Sequence, residues 1–276
     1  GKHRHGSCGM GINECLERII AGYKITLKQI ADSSYDGLRN LLVNIRKEYT
    51  LKRIKELKIS EQNPYYSMIF DENILYNFAV EIKDNSRFIE LVSADSTWLK
   101  RYDGLIFESG QGLLLDQDYE AYAPHLTSSK TGIHNPTIFL EKRGLSLEEA
   151  IYVTRPYVTR HGNGPLPCEV KRSELLGVGE DLTNRPNEWQ GTLRYAKHES
   201  LEAFFAPVLR DRDSVDCLEH MGETKRPKYP KLSILVTQLS ETGNQLYFEK
   251  GSIPIETLQK AGEELGIQCI LDTEWR

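Results

Sequence analysis

The stretch from Phe107 to Gly132, FESGQGLLLDQDYEAYAPHLTSSKTG, constrains this chain more than any other. A short apolar run, Gly104-Leu105-Ile106-Phe107, leads into it and reads as a buried strand arriving at a site. Gln111 then sits between Gly110 and Gly112, in a turn where the backbone must come close to something. A second apolar run is followed by Asp116 and Asp118. Pro124 then opens a hydroxyl-rich loop, Thr127-Ser128-Ser129, closed by Thr131-Gly132. Strand, tight Gly turn, then backbone amides and hydroxyls is how a protein builds an anion-binding edge.

Helical and strand periods alternate along the rest of the chain. Ile12 to Asp32 starts with helical spacing, and Gly37 to Lys58 continues it as a longer helix with an Arg/Lys/Glu outer face. Asn63-Pro64 breaks the pattern. Asp71 to Ile82 predicts another helix with Ile74, Leu75, Phe78, Ala79 and Ile82 inward. Ser146 with Glu149 forms a capping-box pattern for a short helix. Ile151 to Thr154 is β-rich and ends at Arg155-Pro156. Residues 202–230 read as charged, irregular surface. Leu232 to Val236 predicts a buried strand, Pro254 to Leu265 a helix, and Ile267 to Leu271 a last strand. The sum is an α/β fold, a central, mostly parallel sheet with flanking helices. No Ser/Pro/Gly-rich linker splits residues 1–276, so they read as one domain.

The 39% hydrophobic content supports a substantial core in 276 residues. A net charge of -5 argues against a nucleic-acid binder, which carries a basic excess. No apolar run approaches the roughly 20 residues of a membrane span, so no membrane partner is expected. Five widely spaced cysteines without a C-x-x-C pair argue against a disulfide framework or a zinc site and fit a reducing cytoplasm. No metal site of the protein's own is expected.

Two further strings have the chemistry of anion sites. Residues 6–11, GSCGMG, follow the basic cluster Lys2, His3, Arg4 and His5, where side chains and free amides can hold a phosphate. Residues 158–169, VTRHGNGPLPCE, form an irregular loop rich in backbone polar groups, and Arg155 and Arg160 can supply cations for phosphate or carboxylate.

FESGQG, PHLTSSKTG and YVTRPYVTRHGNGPLPCE together resemble the E-G-A-Q-G, P-x-V-T-S-S and Y-V-T-R-A-Y-x-T-R-x-G-x-G-P-x-P-T-E signatures of the adenylosuccinate synthetase family. That family joins L-aspartate to C6 of a purine nucleotide. The resemblance implies a P-loop-like ligase domain that acts in two steps. A nucleoside triphosphate, ATP or GTP with Mg²⁺, first phosphorylates the C6 oxygen of a purine nucleoside monophosphate. The aspartate amine then displaces phosphate.

By the same resemblance, Gln111 holds the purine edge at C6/N1, within the turn of Gly110 and Gly112. Thr127 contacts the monophosphate, with Ser7 or the adjacent loop amides at Gly9 as a second contact. Gly162, Asn163 and Gly164 pack against the ribose. Arg18 is the nearest candidate for an arginine that crosses a homodimer interface to the partner's nucleotide. The family's aspartate loop is shortened here to DLTNRPNEWQGTLRY, leaving Thr192, Arg194 and Arg185 as its contacts. Gln238 and Ser240 stand where the family's T-K-L-D lines the donor's base pocket. Ser240 lacks the carboxylate that reads guanine, which favours ATP. The T-N-x-P-N-E-x-Q-G-x-L-R-Y string resembles a short branch of the family that includes a phage enzyme acting on dGMP, so IMP and dGMP both remain open as substrates. The family's G-D-E-G-K-G phosphate loop and N-A-G-H motif do not occur in the string. A noncatalytic nucleotide-binding module and a fragment of the ligase are therefore the alternative readings.

Overall fold

The computed structural model describes residues 10–92, 97–186, 189–215 and 229–271. Two compact units make up the chain, Gly11–Asp103 and Gly104–Arg276. No helix among the described residues is long and apolar enough to cross a membrane.

The first unit is helical: α1 (Ile12–Ile20), α2 (Leu27–Asp32), α3 (Tyr35–Ile45), α4 (Leu51–Glu56) and α5 (Glu72–Asn85). Its starts are written locally. Thr26 and Gln29 close a capping box on α2, the Ser34 hydroxyl accepts from the Gly37 amide, and the Asp71 carboxylate accepts from the Asn73 and Ile74 amides. The helix expected over residues 37–58 is interrupted by a π-helical turn, Arg46–Thr50, between α3 and α4. Leu38, Ile45, Ile54, Ala79 and Leu99 are buried. The expected inward face of α5 is only partly correct: Ala79 is buried, but Ile74 and Phe78 are exposed, because α5 packs mainly on α3 along a narrow stripe. Bidentate bonds from Arg53 to Glu14, at 2.8 and 3.0 Å, tie α4 to α1.

The second unit contains the parallel sheet. Strands β1 (Glu149–Thr154), β5 (Lys231–Val236) and β8 (Ile267–Leu271) lie in the order β1-β5-β8, with Ala150 opposite Leu232 and Leu232 opposite Ile267. Between them in sequence come β2 (Val158–Arg160), β3 (Glu169–Val170) and β4 (Arg194–Ala196), a small antiparallel sheet of order β2-β4-β3. A hairpin of β6 (Gln245–Phe248) and β7 (Gly251–Pro254) follows β5. Helices α6 (His134–Glu141), α7 (Leu201–Ser214) and α8 (Ile255–Glu264) complete the unit. Phe205 and Val208 of α7 and Ile255 and Leu258 of α8 join Leu232, Ile234, Val236, Ile267 and Cys269 in one core. The α/β reading with a parallel sheet and flanking helices holds.

Four local expectations fail, each for a tertiary reason. Residues 104–107 form no strand and Ile106 is 98% exposed; the segment pairs with none of the described strands. Ser146 and Glu149 cap no helix. Glu149 opens β1, where its carboxylate accepts from the Ser233 hydroxyl at 2.6 Å and pairs with Lys231 at 3.1 Å. Part of the supposed irregular surface at 202–230 is α7, started by the Ser200 cap and held by its apolar stripe against the sheet. The loop expected over 158–169 begins as β2, because Val158 pairs with Ala196.

Candidate functional site

In open parallel sheets, ligands bind where strands end at their carboxyl side. Here β1 and β5 leave the sheet together. The Thr237 amide and hydroxyl both donate to the Thr154 carbonyl, at 2.9 and 3.1 Å. Arg155, Pro156 and Tyr157 follow on one side, and Gln238 on the other. Gln238 has φ 60° and ψ 22°, a left-handed conformation that strains a side chain with a Cβ and recurs at functional sites. The Tyr157 hydroxyl lies 2.9 Å from Gln238 Oε1 and 3.2 Å from Glu241 Oε2. Tyr157 is only 3% exposed, and burial pushes its pKa up to about 12.

Arg155 pairs with Asp181 at 3.5 Å. Asp181 also accepts from the Thr183 hydroxyl (2.6 Å) and amide, and from the Asn184 amide and side chain. Those donors, the Thr183 hydroxyl first, hold its carboxyl well below the usual range. His161 Nε2 lies 2.7 Å from Asn184 Oδ1.

The Gly162–Gly164 turn is clamped by two arginines that face each other across β2 and β4. Arg160 donates to the His125 carbonyl at 2.9 Å and to the Asn163 carbonyl at 3.2 Å. Arg194 donates from Nη1 to the Gly162 and Gly164 carbonyls at 3.0 and 2.9 Å. Its Nε and Nη2 hold Glu169 at 2.8 and 2.5 Å. Gly164, at φ +112°, packs so closely that a Cβ there would lie 2.5 Å from Arg160 Nη2 and 2.7 Å from His125 Cβ.

Two carboxylates hold the hydroxyl loop. Asp116 accepts from the Thr131 amide at 2.7 Å, and Thr127 donates its amide to the Leu115 carbonyl at 2.8 Å. Asp211 of α7, buried, accepts from the Ile133 amide at 3.0 Å and from the Tyr152 hydroxyl at 2.8 Å. Burial raises its pKa despite these donors. A Cβ on Gly132 would fall 1.9 Å from Asp211 Oδ1, so this glycine is demanded by close approach.

The sequence-predicted residues therefore divide. Thr127, Gly162, Asn163, Gly164 and Arg194 belong to segments joined directly by the hydrogen bonds of Arg160 and Arg194. Gln238 stands at the end of β5, while Ser240 is exposed in the 3₁₀ turn Leu239–Thr242. Gln111 is exposed, and its carbonyl accepts from the Ser109 hydroxyl at 3.1 Å. A Cβ on Gly110 or Gly112 would meet nothing within 4 Å, so no contact among the described residues requires these glycines. Thr192 and Arg185 are exposed. Arg18 belongs to the helical unit, where it donates to the Tyr23 carbonyl. Ser7 and Gly9 lie outside the described residues. Sequence reasoning missed Asp211, Tyr157 and His198. For Asp211, the one available signal was Ser200 followed by apolar Phe204, Phe205 and Val208 at helical spacing.

His198 lies behind Arg155, edge-on to the Phe204 ring and tilted against that of Phe248. Its Nε2 is 3.2 Å from the Arg155 carbonyl, which can only accept, so that nitrogen carries the proton. Burial lowers its pKa to about 4. The unfolded chain takes up this proton near pH 6.5 and the folded chain only near pH 4. Stability from the neutral imidazole is thus fully present above pH 6.5 and is lost as pH falls toward 4. The loss amounts to about 1.4 kcal/mol per pH unit and about 3 kcal/mol in total. Urea denaturation between pH 7 and 4 is expected to show this slope, and His198→Gln to flatten it. An unchanged slope in the variant would assign the effect to other groups.

A family model described as adenylosuccinate synthetase matches residues 1–198. The chain is 30% identical over 186 residues to adenylosuccinate synthetase of Coxiella burnetii, covering 67% of this chain and 39% of that protein. It is 28% identical over 192 residues to the Geotalea uraniireducens protein of the same name, covering 70% and 42%. With that of Wigglesworthia glossinidia brevipalpis it shares 27% over 168 residues, covering 60% and 36%. Among solved structures, fully ligated adenylosuccinate synthetase from Plasmodium falciparum matches with a TM-score of 0.54 at 18% identity, over 84% of this chain and 47% of that one; this likeness speaks for the fold. The chain spans about two fifths of the length of the curated relatives it matches.

Proposed function

The chain belongs to the adenylosuccinate synthetase family, and on that premise we propose that it forms the substrate-handling part of a carbon–nitrogen ligase. This ligase joins L-aspartate to C6 of a purine nucleoside monophosphate with hydrolysis of ATP or GTP. The observation that carries the reading is the clamp of Arg160 and Arg194. It joins the His125–Gly132 hydroxyl loop to the Gly162–Gly164 turn, two segments that the family resemblance assigns to one nucleotide.

In this reading the Thr127 loop offers amides and a hydroxyl to the monophosphate, and the Gly162–Gly164 turn lies against the ribose. Gln111 hydrogen-bonds the purine edge at C6/N1. Four of the five N–H groups of Arg194 are engaged by Glu169 and the Gly turn. Its part is therefore to orient that turn, and Thr192 and Arg185 are the better candidates for aspartate. The triphosphate base lies toward Gln238 and Ser240. Phosphorylation of the C6 oxygen converts a poor leaving group into a good one. The aspartate nitrogen then bonds C6 and phosphate departs with that oxygen. Positioning and charge stabilisation contribute much of the rate in such transfers. Among the described residues no three His, Cys, Asp or Glu side chains converge on a point that could hold a metal. Mg²⁺ is implied by the triphosphate and would arrive with it, held by phosphate oxygens and water. A cytoplasmic homodimer belongs to the same proposal.

The test is phosphate release with aspartate and Mg²⁺ in four mixtures, IMP or dGMP each with ATP or GTP. Turnover with ATP is expected, since Ser240 offers no carboxylate to guanine. Turnover with GTP alone would overturn the reading of Ser240. Silence in all four from a folded chain that still binds a purine monophosphate would make it a noncatalytic binding module.

A further inference from the structure

Tyr157, Glu241 and Gln238 present a proton count that does not balance as drawn. Two acceptor oxygens, Gln238 Oε1 at 2.9 Å and Glu241 Oε2 at 3.2 Å, face one phenolic hydroxyl. Tyr157 is buried and its pKa is raised, so at neutral pH it carries one proton and can donate only once. The carboxylate is the stronger acceptor, because a hydrogen bond to an ionised oxygen is roughly twice as strong as one to a neutral amide. With the proton on the Glu241 side, the phenolic oxygen turns its lone pairs to Gln238. The oxygen and nitrogen of a side-chain amide are assigned from the network around them. With the phenolic proton on Glu241, the three groups are satisfied when the Gln238 NH₂ turns toward Tyr157 and its carbonyl away.

The backbone holds the root of that side chain in place. Gln238 is held left-handed between the end of β5 and the 3₁₀ turn that contains Glu241, and the Glu241 amide donates to the Gln238 main-chain carbonyl at 3.1 Å. Gly177, at φ +86°, lets its segment pass against the Glu241 backbone, where a Cβ would sit 1.9 Å from the carbonyl oxygen. Glu241 is thus fixed by its own turn and by this contact, and Tyr157 by burial. Resting on the reading of this edge as the triphosphate base site, we propose that Glu241 and Tyr157 are positioning residues. They lock the Gln238 side chain as a one-way hydrogen-bond acceptor, so that Gln238 selects a purine by an N–H donor on its edge, the exocyclic amine of adenine.

The experiment is a direct binding titration of the chain with ATP and with purine riboside 5′-triphosphate, which differs by lacking the amine. ATP is expected to bind about tenfold more tightly, the discrimination of one hydrogen bond of ordinary strength. In Gln238→Gly, which suits φ 60° and so spares the fold, the two should bind equally. In Tyr157→Phe the amide is released and the ratio should fall toward one with little change in affinity for the riboside analogue. Equal binding by the unmodified chain, or a preference that survives in Gln238→Gly, would overturn the proposal. Either would leave the triphosphate bound and the ligase reading standing. Failure of both nucleotides to bind would remove the base site itself and this inference with it.

Discussion

Gly132→Ala is expected to destabilise the second unit by about 3 kcal/mol, at the upper end of the usual cost of overpacking. The added methyl would lie 1.9 Å from Asp211 Oδ1 and 2.2 Å from its Cγ. A long side chain would swing clear at little cost, but Asp211 is short, buried and held by the Ile133 amide and the Tyr152 hydroxyl. Moving it leaves those two donors unpaired in the interior. A urea titration would measure the loss, with Gly112→Ala as the control, since a Cβ there meets nothing. Combining Gly132→Ala with Asp211→Ala should cost less than the sum of the two, because both break the same contact. A fully additive pair would show that the clash is relieved elsewhere. The hydroxyl loop depends on this contact, so a monophosphate bound there should weaken as well.

Gly164→Ala is expected to act on binding more than on stability, with about a 100-fold loss of affinity for the purine monophosphate. That is about the scale of losing two hydrogen bonds of ordinary strength. Two penalties combine at this residue. Its φ of +112° is open to glycine but strained for alanine, and the methyl would meet Arg160 Nη2 and His125 Cβ. Arg160 is buried between the His125 and Asn163 carbonyls, so it cannot yield without freeing both. The turn would have to lift, taking the proposed ribose contact and the grip of Arg194 with it. Titration with IMP and with dGMP would show the loss, while the far-ultraviolet circular dichroism should stay unchanged. Undiminished affinity for both nucleotides would remove the Gly162–Gly164 turn from the site.

These two glycines differ in how they could be found. Gly164 sits in a string, HGNGPLP, whose glycines and prolines already force an irregular turn. Gly132 closes a hydroxyl loop that reads as an anion edge, yet its actual constraint is a carboxylate 79 residues away in α7. Gln111 shows the opposite case. Its Gly-Gln-Gly frame suggests a close backbone approach, but space is open at both glycines.

The sequence by itself determined what depends on near neighbours. Those features are the capped helices of the first unit, the β-rich runs of β1, β5 and β8, the rigid Gly/Pro turn, and the motif strings that carry the family resemblance. Only the tertiary structure decided what depends on distant partners. Residues 104–107 are apolar enough for a strand but pair with none of the described strands, and Glu149 opens a strand because Lys231 and Ser233 lie alongside it. Arg194 has the chemistry to grip aspartate, but Glu169 and two carbonyls take its donors. Tyr157 and His198 carry no local mark, and the helical spacing after Ser200 marks the helix of Asp211 but not its role, because a residue's burial and its hydrogen-bond partner are properties of the assembled core. Backbone propensity is written over a few residues, whereas desolvation and donor–acceptor satisfaction are set by whatever the fold brings within about 3 Å.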